Sequence, residues 1–298
     1  MIIFSAFIYY GFIIPLSLLP FPVLHRISNM LYYIIYYVIG YRKKVVFTNL
    51  TNALPDKKPD EIEAIAKTFY HHFCDLIIES IKLFTLSREE AVARSRFVNP
   101  ELLDEYFNEG KGIIIVAGHY SNWEIYAQTC NLQMKHQAVG IYTPLSSRFF
   151  EKKFHASRGR YGVHLLPKNE VKSFFEKHLD ETMAVIFGAD QSPSPKTKQV
   201  YWTTFLNQDT AVMFGTEKYA RAYNLPVIFA RSRKVRRSYY EISFEVLEDN
   251  PAATPHGSIT ERHTRMLEQQ ILEDPAYYLW THKRWNRKRS DYPVEMCS

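Results

Sequence analysis

The sequence predicts an α/β fold: a central mixed, mostly parallel sheet flanked by helices, preceded by an N-terminal apolar membrane-anchoring helical segment. Short β-branched apolar runs recur along the chain, and segments with a helical repeat of apolar residues fall between them. Before all of these comes a long uncharged stretch. Alternating strand and helix patterns mark strands joined by crossover helices. The chain divides at about residue 40, into an anchor over 1–40 and one globular domain over 41–298.

No charged residue occurs from Met1 to Leu24, and the first acid is Asp56. The charges before it are Arg26, Arg42, Lys43 and Lys44. Ile2 to Leu24 is long enough to cross a hydrocarbon core of about 30 Å, but Pro15, Pro20 and Pro22 would kink or end a helix there. A second apolar run, Met30 to Val38, is rich in Tyr, which favours the membrane–water boundary. The following YRKK predicts that the domain after it stays on the cytoplasmic side. Two readings follow: a single span, or a bent hairpin lying in one leaflet. A buried pair of core helices fits an uncharged terminus less well. Without a basic stretch ahead of the apolar run, signal cleavage is not expected.

Next, Ile62, Ile65, Phe69, Phe73, Leu76, Ile77 and Phe84 keep a helical period and predict an amphipathic helix from about Asp60 to Leu86. Strands are predicted at Gly112 to Gly118, Gln137 to Tyr142, Met183 to Gly188, Pro226 to Arg231 and Tyr239 to Val246. The basic run RSRKVRR, Arg231 to Arg237, reads as a solvated hairpin joining the last two. No repeat, low-complexity segment or internal linker divides the domain.

Composition narrows the function. With 46% hydrophobic and 23% charged residues the chain is globular rather than disordered, and a mean hydropathy of -0.26 excludes a polytopic membrane protein. Cys74, Cys130 and Cys297 form no C-x-x-C, which excludes a disulfide framework or Cys-rich zinc site and suits a reducing compartment. A net charge of +6 points to an anionic partner: nucleic acid, acidic lipid or an acidic carrier protein.

The segment KGIIIVAGHYSNWEIY carries the chemistry. Its strand ends at Gly118, so His119 sits at the sheet edge where α/β folds bind ligands. Glu124 follows five residues on, a spacing of about 140° on a straight helix. The two meet only if His119 lies in the turn and Glu124 in the first helical turn. A carboxylate beside an imidazole fixes its tautomer and makes it an effective general base. The same residues also read as a plain capping box, with Ser121 as N-cap and Glu124 three residues in. His71 and His72 are adjacent on a helix and cannot share a face, so they are read as solvent or core residues, and no metal-ligand set is present in the sequence.

GHYSNWE resembles the H-x-x-x-x-D/E signature of glycerolipid and lipid A acyltransferases, in the version typical of the lipid A late acyltransferases. Four other stretches are similar to that family in the same order: YRKKVVFTNLTNALP, GADQ, FLNQDTAVMFGTEKYARAYNLPVIF and DPAYYLWTHKRWNRKR. The chain departs from the pattern in a short acidic gap after Leu54 and in the tail past Arg289.

The resemblance implies an acyltransferase domain over 41–298 that moves an acyl chain from an acyl-carrier protein thioester to a hydroxyl of a lipid A precursor, without cofactor or metal. His119 would be the general base, oriented and charge-stabilised by Glu124. Arg158 matches the family's R-x-x-x-G position and is the first candidate for stabilising the oxyanion, although Arg158 or Arg160 also reads as decorating a solvated helix end. Asn122 would position the acceptor or only start the helix; Asp190 and Gln191, after a strand, would bind substrate or brace the following loop. Arg42, Lys43 and Lys44, with Lys283 and Arg284 in the aromatic-interleaved HKRWNRKR, suit membrane or phosphate contact: the headgroups of anionic membrane lipid, with a phosphorylated disaccharide or an acidic carrier protein also open for HKRWNRKR. No nucleic-acid-binding motif is found, so nucleic acid is not an expected partner. His282 rivals His119 but lacks a nearby acid and a preceding strand. The expected location is the cytoplasmic side of a bacterial inner membrane. A glycerophospholipid or aminolipid acceptor is the alternative, with a non-catalytic lipid-binding protein behind it.

Overall fold

The computed structural model describes residues 2–178, 182–194, 197 and 199–291. Nine strands occur there: β1 Ser95–Phe97, β2 Ile113–Ala117, β3 Gln137–Tyr142, β4 His164–Pro167, β5 Met183–Gly188, β6 Val200–Phe205, β7 Gln208–Met213, β8 Val227–Arg236 and β9 Tyr239–Glu248. Seven form one sheet in the order β1-β9-β8-β2-β5-β3-β4, and β6 and β7 form a separate hairpin. β8, β2, β5, β3 and β4 run parallel; β9 is antiparallel to β8 and carries β1 parallel to itself. The predicted mixed, mostly parallel sheet is what forms.

Why β2 lies at the centre is visible in its residues. Ile113, Ile114, Ile115 and Val116 are all buried, without the alternation of a one-sided sheet. Ile113 and Ile115 join Ala138, Ala184 and Ile228 in one cluster, while Ile114 and Val116 join Val139, Val185 and Phe229 in another. The period-2 pleat thus feeds two cores, one per face.

β3 and β5 coincide with their predicted limits. Short β1 and β4 and the β6–β7 hairpin were not foreseen. In that hairpin Leu206 and Asn207 both take positive φ, the geometry of a tight two-residue turn. β8 is longer than expected: RSRKVRR is largely strand rather than connector, and only Arg237 and Ser238 turn the chain into β9.

The amphipathic helix spans Pro59–Lys82 and buries Ile62, Phe69 and Leu76. Phe84 lies beyond its end. The first residues form helices Ile2–Ile8 and Ile14–Leu18 joined by a π-turn, then a helix Phe21–Tyr33 extended by another π-turn to Ile39. The chain breaks at Leu19 and Pro20, both extended. Among the described residues no helix is long and apolar enough to cross a membrane. The buried Lys82 ammonium donates to the carbonyls of Ser17 and Leu19, both at 3.0 Å, and so satisfies groups the break leaves open. One side of this bent segment packs on the domain, with Tyr32, Ile35 and Tyr36 in the same cluster as Ile114. The other side is bare: Ile3 is 86% exposed and Val38 79%.

Candidate active site

β2 and β5 run side by side and end together, with the Ala189 N–H donating to the Ala117 carbonyl. This places Asp190 beside His119 although they are far apart in sequence. Asp190 Oδ2 accepts the His119 backbone N–H at 2.9 Å, and Oδ1 pairs with the ring Nδ1 at 2.6 Å. The Gln191 amide nitrogen is 3.1 Å from Nε2. Both contacts fit one tautomer: Nδ1–H donates to Asp190, and the Nε2 lone pair receives the amide N–H. Trp123 packs edge-on to the ring at 5.1 Å between centroids.

Two glycines make room. A Cβ on Gly118 would meet Leu267 Cδ1 at 2.5 Å, and one on Gly188 would meet His119 Cε1 at 3.0 Å. The first lets the chain run close to the helix Ser258–Glu273; the second lets β5 approach the imidazole.

The pair is electrostatically strong. Burial pushes the Asp190 carboxyl up, but the His119 ring, the His119 N–H and the Arg284 charge together hold it below the usual carboxylate range. Burial pushes the imidazolium of His119 down, and Asp190 outweighs it, so the ring titrates above an ordinary histidine.

Glu124 has a different partner from the expected one. It accepts two hydrogen bonds from Arg158, Nε at 2.9 Å and Nη2 at 2.7 Å, and reaches His119 only through its charge. The residue that orients the ring is Asp190. Sheet order explains the difference: Asp190 arrives at strand height, whereas Glu124 has already turned into the helix Trp123–Thr129. This bidentate pair leaves Arg158 Nη1 without a protein acceptor among the described residues.

The N-cap lies one residue later than expected, and Glu124 closes no capping box. Asn122 is the N-cap, accepting from Ile125 N–H at 3.1 Å, and Ser121 has φ +59°. Asn122 is buried and donates to Glu79, so it builds the turn instead of facing an acceptor. Glu79, which the sequence did not single out, also accepts from the Ser238 and Tyr240 hydroxyls. The turn is tied on its other side by Ser121 N–H to the Tyr277 carbonyl and by the Tyr120 hydroxyl to the Asp274 carbonyl.

The basic residues separate. Lys44 and Lys283 are exposed; Lys43 lies over the Tyr36 ring at 3.8 Å; Arg42 donates to the Thr281 carbonyl at 2.9 Å. Arg284 is only 3% exposed, donates to the Ala211 carbonyl and lends its charge to Asp190. It therefore belongs to the interior behind the site, a correction to its reading as a surface phosphate contact. His282 Nε2 accepts the Ser192 N–H at 2.9 Å, which occupies the rival base. His72 is buried and His71 is exposed, stacked on Tyr32. Among the described residues no three His, Cys, Asp or Glu side chains converge as metal ligands.

A histidine at a sheet edge, held by a buried carboxylate, is equipped to deprotonate a nucleophile, and an arginine clamped by Glu124 is equipped to stabilise an oxyanion. Comparison with known proteins gives the class. The model of the family described as bacterial lipid A biosynthesis acyltransferase matches residues 1–287. The chain is 23% identical to a lipid A biosynthesis acyltransferase of Haemophilus influenzae over 91% of its length and 86% of that protein. It is 22% identical to a lipid A biosynthesis lauroyltransferase of Escherichia coli over 92% of its length and 89% of that protein.

Proposed function

Because the chain belongs to the bacterial lipid A biosynthesis acyltransferase family, we propose that it transfers a fatty acyl group from an acyl-carrier protein thioester to a hydroxyl of a lipid A precursor, with His119 as general base. The carrying observation is the His119–Asp190 pair, which leaves Nε2 as the basic ring nitrogen, met by the Gln191 amide. Nε2 takes the acceptor hydroxyl proton as that oxygen attacks the thioester carbonyl. Asp190 stabilises the imidazolium that forms. Arg158, held by Glu124, offers Nη1 to the oxyanion. On collapse the C–S bond breaks and the proton passes from His119 to the departing sulfur, giving an ester and a free thiol. Gln191 occupies the direction from which the acceptor hydroxyl approaches, and yields that position to it.

The same proposal places the enzyme at the cytoplasmic face of a bacterial inner membrane. The broken N-terminal helices lie in the leaflet with their bare apolar side down, and Lys44 and Lys283 contact anionic headgroups.

Mass spectrometry of lipid A from cells lacking the gene, complemented with wild type or His119→Ala, tests the reading. Loss of one acyl mass, restored only by wild type, is the expected result. Unchanged lipid A with a changed phospholipid or aminolipid would move the acceptor elsewhere.

A further inference from the structure

Beside the helix Phe21–Tyr33 a cleft of about 360 Å³ opens, lined by Asn29, His71, Asp75, Tyr277 and the hairpin residues 234–237. β8 pairs with β2 only as far as Phe229 and runs on from Ala230 to Arg236, so the hairpin projects beyond the sheet on the edge where His119 sits. Tyr277 is shared: its ring lines the cleft and its carbonyl holds Ser121 of the catalytic turn.

Three cations, Lys234, Arg236 and Arg237, line this cleft with one carboxylate, Asp75. Arg237 takes that carboxylate in a bidentate pair and also donates to Asn29 and the His25 carbonyl, a structural brace. Lys234 Nζ is left with Asp75 at 3.6 Å, His72 Nδ1 at 3.3 Å and the Tyr277 ring face at 5.2 Å, although its side chain is only 11% exposed. Those contacts leave ammonium donors spare. Arg236 rests on the Tyr239 ring at 3.7 Å and, among the described residues, faces no carboxylate within ion-pair distance. His71, neutral or cationic, adds no negative charge to the cleft. Val235 of the lining is 52% exposed on the hairpin, and Met30, next in the chain to the lining residue Asn29, is 65% exposed. Cations beside exposed apolar side chains match the headgroup level of a bilayer.

We propose that this cleft binds the phosphate group of an anionic lipid, with Lys234 and Arg236 as its ligands and Val235 and Met30 against the first part of its chains. The inference rests on the proposed placement of the N-terminal helices in the leaflet, and it is independent of the chemistry at His119.

The full-length protein is titrated with phosphatidylcholine vesicles containing increasing phosphatidylglycerol, at constant ionic strength, as wild type, Arg236→Glu and Lys172→Glu. Lys172 is exposed on the helix Val171–Lys177, away from the cleft residues, and controls for net charge. Arg236→Glu should weaken anionic-vesicle binding about tenfold, with Lys172→Glu near wild type and thermal melts unchanged. Equal effects of both substitutions would overturn the proposal, as would competition by inorganic phosphate as effective as that of lipid phosphate, which would identify a free-anion site. Acyl transfer is followed in parallel. Transfer without cleft-dependent binding sinks the cleft alone; cleft-dependent binding without transfer sinks the proposed chemistry and leaves the cleft.

Discussion

His119 owes its raised basicity to Asp190, so the pH dependence of the reaction should report on that contact. As the proposed general base, His119 would work only with Nε2 unprotonated. The rate therefore falls with decreasing pH, with a midpoint above the ordinary histidine value of about 6.5. Asp190→Asn removes the anion, so the midpoint moves to lower pH, and kcat falls by about 10³-fold or more because the favoured tautomer is lost. Glu124→Gln acts on His119 through charge alone; it should move the midpoint less than Asp190→Asn while lowering kcat by loosening Arg158. A pH–rate profile of the three proteins checks the order, and a larger shift in Glu124→Gln would return the orienting role to Glu124. His119, Glu124, Arg158, Asp190 and Gln191 could all be picked from the sequence, each by a strand end or a motif. Their pairing could not. Asp190 lies 71 residues from His119, and only the adjacency of β2 and β5 brings it there. Arg284 failed for a related reason: a charge in a basic, aromatic run looks exposed until the chain around it is folded.

The short helix Trp123–Thr129 depends on its first turn. Asn122→Ala removes the cap on Ile125 N–H and a donor to buried Glu79, which should cost about 2 kcal/mol, read as a lower midpoint in chemical denaturation. An unchanged midpoint would show that the turn is held by Tyr277 and Asp274 alone. At this scale apolar strands were easy to read, because four consecutive buried residues in β2 have no competing helical period. β1 and β4 are too short to carry a pattern; β7 was absorbed into the family-like stretch FLNQDTAVMFGTEKYARAYNLPVIF, and β6, which ends where that stretch begins, was not assigned. Its signal was present in the alternation of VYWTTF and in the two-residue turn Leu206–Asn207. RSRKVRR forms the solvated hairpin that was expected, but its strand part was read too short, since charge alone does not end a strand whose β9 partner continues beside it.

Across the whole molecule, charge and grease are segregated, and the uncharged first residues announced it. Phe4 and Phe7 are 66% and 61% exposed, so replacing both with Glu should leave stability within about 0.5 kcal/mol. The same pair of changes should release the protein from vesicles in a sedimentation assay. Retained binding would mean that the surface cations suffice without the apolar face. The sheet's class was legible from the alternation of patterns, whereas its strand order was not, since crossover lengths alone permit several arrangements.

The Lys82 ammonium at the bend between Leu18 and Phe21 carries a further consequence. A corner made only by prolines would act as a hinge, and the two helical arms could ride up and down independently of the domain. Riveted to the long helix Pro59–Lys82, the arms become a keel. A keeled body floats at one waterline. On the proposed placement of the arms in the leaflet, His119 would stand at a fixed height above the lipid tails, and acceptors would be sorted by how far their hydroxyls rise from the bilayer before any pocket has measured them.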